Sequence, residues 1–221
     1  MEQHHLQHAE TIHRGRSNVL IPNPRYVSDA ETPRYAAFRL MNGLIQAAQD
    51  DILRAVHQLK ESGLKSQTTA AHGSNFHQEW FGVWRRYSPT SVITSAETQA
   101  NPKQAASIQN FMRVLDGNLG GISAKLRATD EPAWFRAQYQ HRGVADLIRR
   151  GAEAQPTKPT TKLLEQCSSR RNNSAFRLGG IGTMLAVSSG EGTAYHYDTH
   201  DDAHQYSIVI ALGRGGVLHL P

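Results

Sequence analysis

The distribution of apolar positions divides the chain into regions of different texture. Residues 1–35 contain Pro22, Pro24 and Pro33 among scattered polar residues with no sustained apolar period, which predicts an extended or disordered arm. From Ala36 to Ser62, Ala37, Met41, Leu44, Ile45, Ala48, Ile52, Ala55, Val56 and Leu59 recur at three- and four-residue steps. That spacing predicts one long amphipathic helix, opened by Thr32-Pro33 and closed by Gly63, with Gly43 as a weak point inside it.

Residues 75–87, NFHQEWFGVWRRY, place Trp80, Phe81 and Trp84 where one helical face would anchor them to a core. Their neighbours Arg85 and Arg86 allow a second reading, in which aromatic rings stack on bases and arginines grip phosphate. A further helix is expected over Gln104–Asp116, through Ile108, Phe111, Met112 and Leu115, stopping before Gly117. Another is expected over Glu131–Arg150, beyond the Gly120-Gly121 pair. Residues 151–161, with Pro156 and Pro159, read as a polar linker.

After Ala175 the pattern shortens into strand-like runs at Ile181–Val187, Tyr206–Leu212 and Val217–Leu220, each close to glycine. Helices followed by strands predict an α+β protein with a helical N-terminal portion, 36–160, packed on a C-terminal β-structure, 161–221.

Composition narrows the classes of function. With 38% hydrophobic residues and a mean hydropathy of -0.53, the chain is polar but able to bury a core. No stretch approaches the roughly 20 apolar residues needed to cross a bilayer, so no membrane partner is expected. A single cysteine, Cys167, excludes an internal disulfide framework and reads as an ordinary thiol. The opening residues MEQHHLQHAE lack a signal-peptide core, which points to an intracellular protein. A net charge of +5 permits a polyanionic partner such as DNA or RNA. The arginines occur in small groups, Arg85-Arg86, Arg149-Arg150 and Arg170-Arg171, with no long basic tract. Oligomeric state is not legible.

The segment that carries chemistry is Thr193–Pro221, TAYHYDTHDDAHQYSIVIALGRGGVLHLP. In a strand, residues i and i+2 share a side, so His196 and Asp198 can aim an imidazole and a carboxylate at one point. Nitrogen and carboxylate donors on one face suit Fe(II), because the opposite coordination positions stay open. His-x-Asp alone is a common tripeptide, and its context is what raises it. It follows a strand-like run ending in Gly190 and precedes Tyr206–Leu212, then Gly215-Gly216 and Leu218-His219-Leu220-Pro221.

That succession resembles the double-stranded β-helix, a jelly-roll or cupin-like fold, of the 2-oxoglutarate- and Fe(II)-dependent oxygenases. Within that superfamily it is most similar to the TET/JBP-like branch and its fungal members. The resemblance covers Gly180–Pro221 and implies that 161–221 form the N-terminal part of the oxygenase core. It also implies that His196 and Asp198 are two of three metal ligands, with Fe(II) and 2-oxoglutarate as cofactors. The implied reaction is hydroxylation of a pyrimidine methyl group in nucleic acid, for which a nuclear location would be fitting.

Two departures accompany the resemblance. The family completes its site with a later histidine and a basic residue that pairs with the 2-oxoglutarate carboxylate; His219 stands too close to His196 for that pattern, so a C-terminally incomplete chain is expected. Related prolyl-hydroxylase-like enzymes often carry a tyrosine where this chain has Val187.

Two other readings remain open at this stage: a non-catalytic nucleic-acid-binding or scaffold remnant of the fold, and an oxygenase acting on protein or a small molecule. The remaining histidines and glycines have bland readings. His4, His5 and His8 fit a flexible polar tail, and His200, Asp201, Asp202 and His204 fit a solvated loop more readily than a second metal site. Gly179, Gly180 and Gly182 imitate a nucleotide loop, yet strand-like sequence follows where a helix would be needed.

Overall fold

The computed structural model describes residues 18–28, 31–64, 76–84, 93–94, 102–154, 178–190, 202 and 204–213. Their order is β1 (Val19–Pro22), β2 (Tyr35–Arg39), α1 (Gln46–Glu61), β3 (Phe76–Trp84), β4 (Ile93–Thr94), α2 (Pro102–Thr129), α3 (Glu131–Ala154), a 3-10 turn at Leu178–Gly180, and β5 (Met184–Gly190). This is a mixed α+β fold with two small antiparallel sheets, β1-β2 and β4-β3-β5. Among the described residues no closed barrel or jelly-roll is present.

Residues 19–22, within the expected extended or disordered arm, are extended and pair with β2, Val19 opposite Arg39 and Leu20 opposite Phe38. The register shifts between Ile21 and Pro22, where proline has no N–H to contribute to a ladder. Asn23 closes the turn: its side chain donates to Pro33 O at 2.9 Å and accepts from Arg25 N at 2.9 Å.

Residues 35–39 are therefore strand, and the expected helix is shorter at its start. Asn42 takes a left-handed φ of 52° and Ile45 is extended, so helical geometry begins only at Gln46. From there Ala48, Ile52, Ala55 and Leu59 form the buried stripe, and Gly63 at φ 79° ends it as the sequence predicts.

β3 is a further correction. Residues 76–84 form a strand, so Trp80 and Phe81 point to opposite sides of the sheet instead of sharing a helical face. The ladder to β5 runs from Phe76 opposite Gly190 to Gly82 opposite Met184. Phe81 is fully buried and lies 5.4 Å from Phe111, ring centroid to ring centroid. Period-2 alternation of Glu79 and Phe81 on the covered face, together with a partner strand far along the chain, outweighs the helical spacing of the tryptophans.

α2 runs well past Asp116, through Gly117, Gly120 and Gly121. The reason is visible in its inner face, where Ile108, Phe111, Met112, Leu115, Leu119 and Leu126 continue one buried stripe for the whole length. The glycines lie on the exposed side. Packing of that stripe against α1 and β3 offsets their low helix propensity, about 1 kcal/mol each relative to alanine. α3 continues to Ala154, past the expected end at Arg150 and into the start of the expected linker.

One apolar core joins α1, α2, β3 and Leu178, with Leu185 and Val187 of β5 packed against it. Gly179 and Gly180 serve this packing. A β-carbon at Gly179 would stand 2.9 Å from Leu119 O, and one at Gly180 2.5 Å from the Gln138 amide. Gly179 N also donates to Asp116 Oδ1 at 3.0 Å, which ties the turn to α2.

Residues Tyr206–Leu212 do not form the expected strand; they pair with no strand among the described residues. Ile210 and Leu212 reach the core, whereas Ile208 and Val209 are exposed. The expected Val217–Leu220 strand lies outside the described residues.

The glycines of α2 provide a stability test. Nothing lies within 4 Å of a β-carbon built at Gly117, Gly120 or Gly121. Each Gly→Ala change should therefore stabilise the chain by about 0.5–1 kcal/mol, read as an increase in the chemical-denaturation midpoint.

Candidate functional site

His196 and Asp198 lie between β5 and residue 202, in a segment outside the described residues. His200, Asp201 and His219 also lie outside, as do His4, His5, His8, Cys167, Arg85, Arg86, Arg170 and Arg171. Among the described residues no group of three His, Cys, Asp or Glu could hold a metal ion. No described helix is long and apolar enough to cross a membrane. What the structure supplies is the framework on either side of the His-x-Asp motif.

On the entry side, β5 carries the chain to Gly190, which has a φ of 108° that favours glycine. Val187 stands opposite Glu79 and packs against the core. The Val187 side chain thus serves apolar packing. On the same covered side of β3, the Glu79 side chain is only 3% exposed.

On the exit side, a cluster of polar contacts fixes residues 202–206. Asp202 Oδ1 accepts from His204 N at 2.9 Å, and Oδ2 accepts from Gln140 Nε2 of α3 at 3.1 Å. The backbone donor at His204, followed by the Gln140 amide, holds the Asp202 carboxyl below its ordinary range against an opposing effect of burial. Arg136 Nε donates to His204 O at 3.1 Å, and a ring nitrogen of His204 lies 3.1 Å from Glu31 O. Asp202 and His204 therefore work as a structured polar turn.

The most buried part of this cluster is Asp130, 2% exposed at the junction of α2 and α3. Its Oδ1 accepts from Ala133 N at 3.1 Å and so caps α3. Its Oδ2 accepts from Arg34 N and from the Tyr206 hydroxyl, both at 2.7 Å. The Tyr206 oxygen in turn accepts from Tyr35 N at 3.0 Å. Three segments distant in sequence, 34–35, 130–133 and 206, thus meet at one carboxylate. The Tyr206 ring also packs edge-on against Phe38, 5.0 Å between centroids. Burial, and then the hydrogen bond to Asp130, push the Tyr206 phenol well above the ordinary tyrosine range, so it stays a donor at physiological pH.

Beside Tyr206 lies a cavity of about 120 Å³ between α3 and the turn before β5, lined in part by Gln140, His141, Thr183, Gln205 and Ile208. Among the described residues Gln205 Nε2 is buried with no hydrogen-bond partner, which leaves a donor suited to an acceptor oxygen.

Sequence reasoning placed the motif but missed the framework around it. Asp130 does show a local signal, since Asp-Glu-Pro ahead of an apolar run is a helix start. Its contacts with Arg34 and Tyr206 have no sequence signature. No family model matches the chain, and no curated protein or solved structure shows significant similarity to it.

The raised phenol of Tyr206 makes stability depend on pH in a defined direction. A group whose folded value is raised stabilises fully below its unfolded value, here 10.0, and that contribution declines as pH rises toward the folded value. Tyr206→Phe should cost about 1–2 kcal/mol at neutral pH by denaturant unfolding. The gap between wild type and Tyr206→Phe should narrow above about pH 10 and stay constant below it.

Proposed function

We propose that the chain belongs to a 2-oxoglutarate- and Fe(II)-dependent oxygenase, with His196 and Asp198 as two metal ligands. The observation that carries this reading is the setting of the His-x-Asp motif. β5 runs as a strand into Gly190 directly ahead of the motif, and Gly215-Gly216 stands beyond the Tyr206–Leu212 run that follows it. The donor set fits the metal: one neutral imidazole and one carboxylate suit Fe(II) and leave positions for cosubstrate and oxygen. Bound Fe(II) and 2-oxoglutarate would supply the oxidising power to hydroxylate a C–H bond.

The chain's own residues bind and orient. Asp198 would lower the net charge at a bound metal, and His196 would supply a nitrogen donor whose second ring nitrogen needs an acceptor to fix its tautomer. The substrate in this reading is a pyrimidine methyl group in nucleic acid, in keeping with the net charge of +5. A base in a duplex must leave the stack before its methyl group can reach the metal.

The test uses the complete gene product with Fe(II), 2-oxoglutarate and 5-methylcytosine DNA. Oxidation of the methyl group is expected. His196→Ala and Asp198→Ala should each reduce it beyond the roughly 100-fold range seen for changes outside the ligand shell. Turnover of only a protein or small molecule overturns the substrate, and unchanged activity in both variants overturns the metal site.

A further inference from the structure

The outer face of α3 carries a stripe that the core does not use. Phe135, Tyr139 and Arg142 are exposed and stand four and three residues apart, so they share one side of the helix, away from the buried Ala133 and Ala137. Tyr139 is 80% exposed and Phe135 55% exposed. A large ring contributes to stability by leaving water, and Tyr139 gives the fold little of that.

A cation stands near each ring. The Arg127 guanidinium, from the last turn of α2, lies 4.8 Å from the ring centroid of Trp134 and 5.8 Å from that of Phe135, and Trp134 meets Phe135 edge-on at 4.9 Å. Arg127 Nε is also 3.0 Å from Glu131 Oε1, an exposed ion pair that offsets part of its charge while holding the guanidinium beside the rings. Arg142 follows Tyr139 by three residues and forms no ion pair among the described residues.

We propose that this face docks an unpaired nucleic-acid strand, with bases stacked on Tyr139 and Phe135 and phosphates beside Arg142 and Arg127. Exposed rings set among guanidinium groups suit a single strand, because every base has a π-face and every linkage carries a charge. The two ring-bearing residues are about 6 Å apart along the helix axis, whereas neighbouring bases in a duplex strand are about 3.4 Å apart. A strand that reaches both rings is therefore extended and unstacked, which a duplex is not. A second copy of the chain is a poor occupant, since each copy has a net charge of +5 and its guanidinium groups would meet their own kind across a two-fold contact. The surface rests on the function proposed above for its partner class alone; strand binding needs no metal, so binding and oxidation are scored separately.

Fluorescence anisotropy of the full chain with a labelled oligothymidine of about 12 nucleotides, without Fe(II) or 2-oxoglutarate, tests the surface. Wild type should bind, and Tyr139→Ala and Phe135→Ala should each weaken binding about fivefold or more. Arg142→Gln should lower the slope of log affinity against log salt by about 0.7, the single-strand value for one phosphate contact. Tyr26→Ala, which removes an exposed ring outside α3, should leave affinity within about twofold of wild type. Tyr139→Ala and Arg142→Gln should keep the wild-type denaturation midpoint, which separates lost binding from lost fold.

Equal affinity of wild type and Tyr139→Ala overturns the surface and leaves a nucleic-acid partner standing. Equal affinity for an abasic strand of the same length overturns it too, by reducing the contact to charge, and so does tighter binding to the corresponding duplex. Tighter binding of polyglutamate than of oligothymidine, or a wild-type dimer that Tyr139→Ala disperses, overturns the strand as occupant. A wild-type chain that binds no strand overturns both the surface and the nucleic-acid partner, while the oxidation assay still decides the metal site.

Discussion

A carboxylate removed from water must find donors for its lone pairs, and that requirement organises the corner where α2 meets α3. Asp130 meets it with two backbone N–H groups and one phenol, drawn from the turn before β2, the first turn of α3 and residue 206. Any arrangement that separated one of these segments would leave a buried acceptor or donor unpaired, at a cost of about 1–3 kcal/mol for each group. The β1–β2 hairpin, the α2–α3 corner and the run after the His-x-Asp motif are thus bound to one another through a single side chain. The apolar core of α1, α2 and β3 stabilises the fold without specifying this meeting point.

Local pattern was legible in the sequence wherever the physics was local. The stripe Ala48, Ile52, Ala55 and Leu59 and the stop at Gly63 follow from helical periodicity and a left-handed glycine. Errors arose where distant partners decided the outcome. Trp80, Phe81 and Trp84 satisfy a helical spacing, yet β3 is fixed by seven register positions against β5. Gly117 marks a stop by propensity, yet Leu119 and Leu126 keep α2 in contact with the core beyond it. Tyr206–Leu212 has the composition of a strand but makes no ladder among the described residues, and its first residue instead donates to Asp130.

The candidate site divides along the same line. The proposed pair His196 and Asp198 is readable because both residues come from one short stretch. The framework is not, because Asp130, Arg136 and Gln140 sit on helices and meet residues 202–206 only in three dimensions. Val187 links the two levels: its side chain belongs to the core, and its neighbour across the ladder is Glu79.

The pairing of β3 with β5 has a consequence for synthesis of the chain. On a ribosome β3 emerges long before its partner, with α2 and α3 made in between, so one edge of an aromatic-rich strand waits unsatisfied while the helices form. Glu79 on that strand, with a formal charge, works against premature self-association of nascent chains. Until β5 arrives, that open edge is free to pair with another chain.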